Sequence, residues 1–312
     1  MKLGIVGFGK IAARHLEVFR ALEVDVVAAA NRSEDGRVKA KEAGLATYAS
    51  ADELLAQESV DAVLVTTSLT ENFEAAKALI PRGIPMLLEK PPGTSIPEVE
   101  ELATLAETHG TPVLVGFNRL HYSILGRALE HAGGLEAVTS VLVEWSENPP
   151  HLARRGFSER QIARRNFSNS VHGLSLLAYL AGRISNPVAI ASRRSPPFGL
   201  SMSLQGISER GTVATFVSSW DSQVPWRLRF VAAGHVYSFA PLEACEVVSP
   251  SRERTRLEPA SYDDTYKPGF FGQAKVFLDV VRSRRVPAAH DLRAAVNVVE
   301  LAHALTDACD RA

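Results

Sequence analysis

The sequence predicts an α/β protein in two parts: a doubly wound parallel sheet over residues 1–118, then an α+β domain with an open, mainly antiparallel sheet over residues 119–312, whose C-terminal helix could pack back on the first domain. Three observations predict it. Up to residue 117, short runs that are apolar on both faces alternate with helical patterns, as in a parallel sheet covered on both sides. Beyond Asn118, strand patterns follow one another with little helix between them. A glycine-rich turn joins the first strand pattern to the first helical one.

The elements follow in order. Residues 3–6 form a compact apolar run, and Ile11, Ala12, Leu16, Phe19 and Leu22 then recur at helical spacing. Further buried-strand runs occupy 24–30, 61–65, 84–88 and 113–117, with a helical pattern at 98–109. Right-handed crossovers between such strands give the doubly wound topology. In the second part, strands are expected at 136–145, 187–192, 200–207, 212–219, 226–232 and 235–239. Trp226, Leu228 and Phe230 alternate with Arg227 and Arg229, so one sheet face is packed and the other polar. A helix is expected at 171–180 and a long amphipathic one at 291–308. The charged segment 251–256 reads as a solvated hairpin or loop.

Composition sets limits on function. The 312 residues are 46% hydrophobic and 22% charged, enough to bury a core and unlike a disordered or collagenous chain. Formal net charge is −1, without the basic excess of a protein that tracks nucleic-acid phosphates. Cys245 and Cys309 are too few for a disulfide framework, and no metal-ligand spacing is present, so no metal is expected. No apolar run reaches the roughly 18–20 residues of a membrane span. The apolar start is too short for a signal peptide and Lys10, Arg14 and His15 follow it, so a cytoplasmic protein is expected.

Gly7-Phe8-Gly9-Lys10-Ile11-Ala12 fits the G-x-G-x-x-G/A fingerprint of a dinucleotide-binding Rossmann domain. Gly7 permits the tight turn, Gly9 leaves the backbone open to a pyrophosphate, and Ala12 lets helix and strand pack closely. The phosphates then meet unpaired N–H groups at the helix start. The second strand ends in Asn31-Arg32-Ser33, where an NAD-binding protein usually carries a carboxylate for the ribose hydroxyls. Arg32 can pair with a 2′-phosphate and Ser33 can donate to it, so NADP(H) is favoured over NAD(H). The alternative is a surface Arg32 with Glu34 or Asp35 serving NAD. Thr66 and Thr67, after the strand at 61–65, are further expected cofactor contacts.

Glu89-Lys90-Pro91 ends a strand and enters a loop, and Gly116-Phe117-Asn118-Arg119 ends another. With the glycine turn, these segments resemble the E-K-P and G-F-N-R-R motifs of the Gfo/Idh/MocA family of NAD(P)-dependent oxidoreductases. The resemblance is specific over the first 120 residues and loose beyond them. It implies a Rossmann domain, a second domain whose sheet often forms an oligomer interface, and oxidoreduction at a sugar or polyol carbon between the domains. It adds Glu89, Lys90, Pro91 and Asn118 to the expected cofactor contacts. Lys90 is the expected catalytic ammonium: it can orient the substrate oxygen and stabilise developing negative charge. Desolvation beside a cationic nicotinamide would lower its pKa. The other reading of Lys90 is a structural ion pair with Glu89 or a surface lysine.

The family pattern D-x-x-x-H-x-x-D is matched at residues 168–175 by His172 alone, with Ser168 and Ser175 in place of both acids. Serine has no useful proton affinity near neutral pH, so His172 is the expected acid/base, with Lys90 sharing the task. Helical four-residue spacing would put Ser168 and His172 on one face. Arg119, His121, Tyr122, Arg164, Arg165, Ser168 and Asn169 are weaker substrate-binding candidates. Trp220 and Trp226 are expected to pack the sheet. A homodimer or homotetramer acting on a sugar, polyol or sugar acid is expected, with no nucleic-acid or membrane partner. Two alternatives stay open: a reductase of a non-sugar acceptor, and a nucleotide-binding sensor that has lost turnover, which the serines at 168 and 175 keep alive.

Overall fold

The computed structural model describes residues 1–193, 200–220 and 225–312. The chain divides into two compact units, residues 1–121 with 261–296 and residues 122–260 with 297–312. Residues 261–296, which a single division after residue 118 would give to the second part, cluster with the first.

The first unit opens with β1 (Lys2–Val6), α1 (Lys10–Ala21), β2 (Asp25–Ala30), α2 (Glu34–Glu42), β3 (Ala46–Tyr48) and α3 (Ala51–Gln57). It continues with β4 (Ala62–Val65), α4 (Asn72–Leu79), β5 (Met86–Glu89), α5 (Ile96–His109) and β6 (Val113–Gly116). The six strands pair in the order β3-β2-β1-β4-β5-β6, all parallel, which is the doubly wound arrangement expected. Every residue of β4, β5 and β6 is buried, because helices cover both faces. Ser33, Ser50 and Ser95 cap α2, α3 and α5 through their hydroxyls.

The second unit contains α6 (Ser123–Ala132), β7 (Val138–Ser146), α7 (Pro149–Arg154), α8 (Glu159–Ala163), α9 (Val171–Ala181) and β8 (Val188–Arg193). Then come β9 (Leu200–Ile207), β10 (Val213–Ser219), β11 (Arg227–Ala232), β12 (His235–Phe239), β13 (Cys245–Val248) and β14 (Arg254–Leu257). These form one eight-stranded sheet in the order β14-β13-β12-β11-β7-β10-β9-β8. Among the described residues of this sheet, only β7 and β10 pair in parallel. The charged segment 251–256 is the β13–β14 hairpin. One sheet face carries Leu204, Phe216, Val143, Leu228 and Phe239 in a cross-strand row and is buried. α9 packs on that face, and it approaches so closely at Gly173 that a Cβ there would lie 2.6 Å from the Trp145 ring and 2.8 Å from Phe216.

Three helices complete the chain: α10 (Tyr262–Thr265), α11 (Phe270–Ser283) and α12 (Leu292–Asp310). In the first unit α11 packs against α1, with Phe277 edge-on to Phe19 at 6.2 Å and both in the core that carries Leu3, Ile5, Leu64, Leu87 and Leu114. Among the described residues no helix is long and apolar enough to cross a membrane.

Candidate functional site

The turn from β1 to α1 is built as its sequence requires. Gly7 sits at φ +87°, and a Cβ there would lie 2.8–2.9 Å from the backbone of Thr66 and Thr67. Only glycine fits that conformation and that approach. Gly9 is different: its backbone is extended (φ −137°), and a Cβ there would meet nothing within 4 Å. The fold therefore does not demand glycine at 9. Gly9 caps α1 with no side-chain hydrogen bond to the first-turn N–H groups, and no acidic residue stands in that turn. Bare backbone donors, open space and a helix dipole together fit a pyrophosphate. Ala12 is fully buried, Phe8 nearly so, and Lys10 and Ile11 are exposed.

Asn31 ties this turn to β2. Its Oδ1 accepts from the Phe8 N–H at 3.3 Å and its Nδ2 donates to the Ser33 hydroxyl at 2.9 Å. The Ser33 hydroxyl also accepts from the Gly36 N–H. Arg32 is exposed and ion-paired with Glu71, so this guanidinium has a carboxylate partner in place of the open position expected from sequence. Arg37, which the sequence did not single out, donates to the carbonyls of Asn31 and Arg32 at 2.8 and 2.7 Å.

Thr66 donates its hydroxyl proton to the Gly7 carbonyl, and Thr67 donates to Asn72 Oδ1 at 2.7 Å. Asn72 is 1% exposed, and its Nδ2 donates to the carbonyls of Glu89 (3.0 Å) and Pro91 (3.1 Å), on either side of Lys90. The Glu89 carboxylate points inward. One oxygen lies 2.9 Å from Nε2 of the fully buried His15, and the other accepts the Lys90 backbone N–H at 3.2 Å. Burial alone would raise the Glu89 pKa, but the His15 hydrogen bond and the charges of His15, Lys90 and Lys267 outweigh it and hold it below the ordinary carboxylate value. With both carboxylate oxygens engaged by protein groups, Glu89 serves the frame around Lys90, where sequence had placed it against the cofactor. Lys90 is half-buried just beyond the end of β5.

Lys267 joins this cluster. Its Nζ lies 4.6 Å from the Phe270 ring centre, and Phe270 packs on His15 at 4.5 Å. Burial and the nearby Arg119 lower its pKa to about 8, against an opposing pull from Glu89. Asn118 is buried and donates to the Pro268 carbonyl at 3.1 Å, so its amide secures the chain before α11. Arg119 and His121 are buried, and the His121 ring lies 4.7 Å from that of His290.

In the second unit, the Tyr122 hydroxyl donates to Glu243 at 3.3 Å. Arg165 directs Nε (3.0 Å) and Nη2 (2.7 Å) to one oxygen of the buried Glu147, and Asn169 donates to the other. Both side chains are thus committed to Glu147, a residue sequence reasoning missed. Arg164 is half-buried. Residues 166–170 form a π-helical turn ahead of α9, so Ser168 lies outside the α-helix. His172 is buried, and the Ser175 hydroxyl donates to its carbonyl at 2.9 Å. Trp226 stacks on Trp145 at 4.0 Å and donates to the Ser146 carbonyl.

Residues 1–117 match the model of the oxidoreductase family with the NAD-binding Rossmann fold, GFO_IDH_MocA. Over these residues the chain is similar to the Gfo/Idh/MocA family. The chain is 33% identical over 189 residues to the myo-inositol dehydrogenase Hyg17 of Streptomyces leeuwenhoekii, covering 59% of this chain and 56% of that protein, so the match spans about half that relative's length. It is 24% identical to the D-xylose 1-dehydrogenase (NADP(+)) 2 of Haloferax volcanii across 99% of this chain and 98% of that one. The fold is also that of UDP-N-acetylglucosamine 3-dehydrogenase GnnA from Acidithiobacillus ferrooxidans, with TM-score 0.81 and 19% identity over 99% of this chain and 97% of that one.

Proposed function

We propose that this protein is an NAD(P)-dependent dehydrogenase that transfers a hydride between nicotinamide and a carbinol or carbonyl carbon of a sugar, polyol or related compound. The observation that carries the reading is Gly9. The chain would accept a side chain there, yet the residue is glycine, at the uncapped start of α1. A ligand that must approach the backbone explains that choice. The family match and the dehydrogenase names of the relatives support it.

The backbone from Gly7 to Ala12 would hold the pyrophosphate, with Asn31 and Ser33 near the ribose. When bound, the dinucleotide supplies or accepts the hydride. Lys90 orients the substrate oxygen and moves its proton, and His172 in the second unit is assigned a proton-transfer role. NADP(H) is preferred over NAD(H) on this reading, because no carboxylate ends β2 and because Arg32 stands there. Glu71 competes for that guanidinium, so the preference is smaller than an unpaired Arg32 would give.

A second reading, a sensor without turnover, is favoured by Ser168 and Ser175 and by the commitment of the Ser175 hydroxyl to a main-chain carbonyl. One experiment separates the two: following reduced-cofactor absorbance with NADPH and NADH against sugars, polyols, sugar acids and their carbonyl partners. The dehydrogenase reading expects turnover on at least one. Saturable dinucleotide binding with no turnover on any of them supports the sensor.

A further inference from the structure

We propose that Asn72 is a positioning residue for Lys90, holding the main chain on both sides of it. The inference rests on the assignment of proton transfer to Lys90 above. The ladder between β5 and β6 ends at the pair Glu89–Gly116, so the sheet cannot fix the lysine that follows. Side chains take over there. Asn72, the first residue of α4, donates to the carbonyl before Lys90 at 3.0 Å and to the carbonyl after it at 3.1 Å. Carbonyl oxygens only accept, so the amide end facing them must be the NH₂, and its two protons suffice for both bonds. The Thr67 hydroxyl fixes the other end of the amide at 2.7 Å, tying it to the segment that follows β4. Glu89 holds the remaining polar group, the Lys90 N–H. An amide that is 1% exposed and bonded at both ends is rigid. A lysine side chain has four rotatable bonds, and proton transfer depends on placing its terminal nitrogen within tenths of an ångström. Anchoring the backbone on both sides fixes the point from which those bonds start.

The test compares the full-length wild type with Asn72→Ala, and with Thr67→Val, which removes the bond that orients the amide. Each is read in two ways: by kcat, KM and reduced-cofactor affinity, and by the NMR titration of lysines labelled by reductive ¹³C-methylation. The Lys90 signal is assigned by its loss in Lys90→Arg. Expected for Asn72→Ala is a kcat lowered by about 100-fold, the order associated with misplacement by an ångström, with dinucleotide affinity within about two-fold. Its Lys90 titration midpoint moves while that of Lys39 stays in place. Thr67→Val shifts the Lys90 signal in the same direction by less. An unmoved Lys90 midpoint in folded Asn72→Ala overturns the proposal, whatever happens to activity. If Asn72→Ala does not fold, an unmoved midpoint in Thr67→Val overturns it instead. A wild type that turns over no alcohol or carbonyl compound defeats the dehydrogenase reading, and the lysine titration still decides the role of Asn72.

Discussion

Lys90 and His290 show how burial and hydrogen bonding divide chemistry from stability. Lys90 is held through its backbone by Asn72 and Glu89. Lys90→Ala is expected to lower kcat by at least about 100-fold, within the usual range for lost proton transfer, while dinucleotide affinity changes by less than about three-fold. Stopped-flow turnover with fluorescence titration checks both. His290 is instead buried beside His121, and burial lowers its pKa from 6.5 to about 4, against a smaller opposing effect of Asp291. His121 is lowered too, by burial first and by His290 second. The unfolded chain then binds more protons than the folded one between about pH 6.5 and 4, so stability rises with pH across that window and is lost on acidification. His290→Gln should flatten the dependence of melting temperature on pH between 7 and 5. An unchanged slope would show that the histidine pair does not carry it.

At the scale of the element, each functional segment depends on what covers it. α9 carries His172 and lies against Trp145 and Phe216 through Gly173. Gly173→Ala should destabilise the protein by about 1–3 kcal/mol, the usual cost of overpacking a core, measurable as a lower urea midpoint. A midpoint equal to wild type would mean that α9 shifts freely on the sheet. The buried strands β1, β4, β5 and β6 were legible in sequence because both of their faces are apolar. The three-residue β3 and the four-residue β13 were not, and β14 lies largely within the charged segment 251–256, which reads as a hairpin or loop. His15 escaped notice because it occupies a position of the apolar stripe between Ile11 and Phe19. Asn72 stands in a polar run, and only the fold brings it to Glu89 and Pro91.

At the scale of the whole molecule, the division of the chain was only partly legible. Residues 261–296 join the first unit because Phe270 and Phe277 pack with Phe19, a long-range contact no local pattern announces. The exposed face of the second sheet bears Val188, Ile190, Ile207, Val213 and Val217, at 68%, 66%, 64%, 50% and 38% exposure. Ile207 pairs with Val213, and Ile190 and Val217 both pair with Ser203, so these side chains form one apolar area on β8, β9 and β10.

The claim on which the rest depends is that a pyridine dinucleotide lies on the backbone at Gly9. Fluorescence titration of NADPH and NADH into wild type and Gly9→Val tests it most directly, since the folded chain has room for the new side chain. The expected result is saturable binding to wild type and an affinity at least about 100-fold weaker in a variant that melts like wild type, a difference of about 2.8 kcal/mol. Undiminished binding to Gly9→Val would contradict the account.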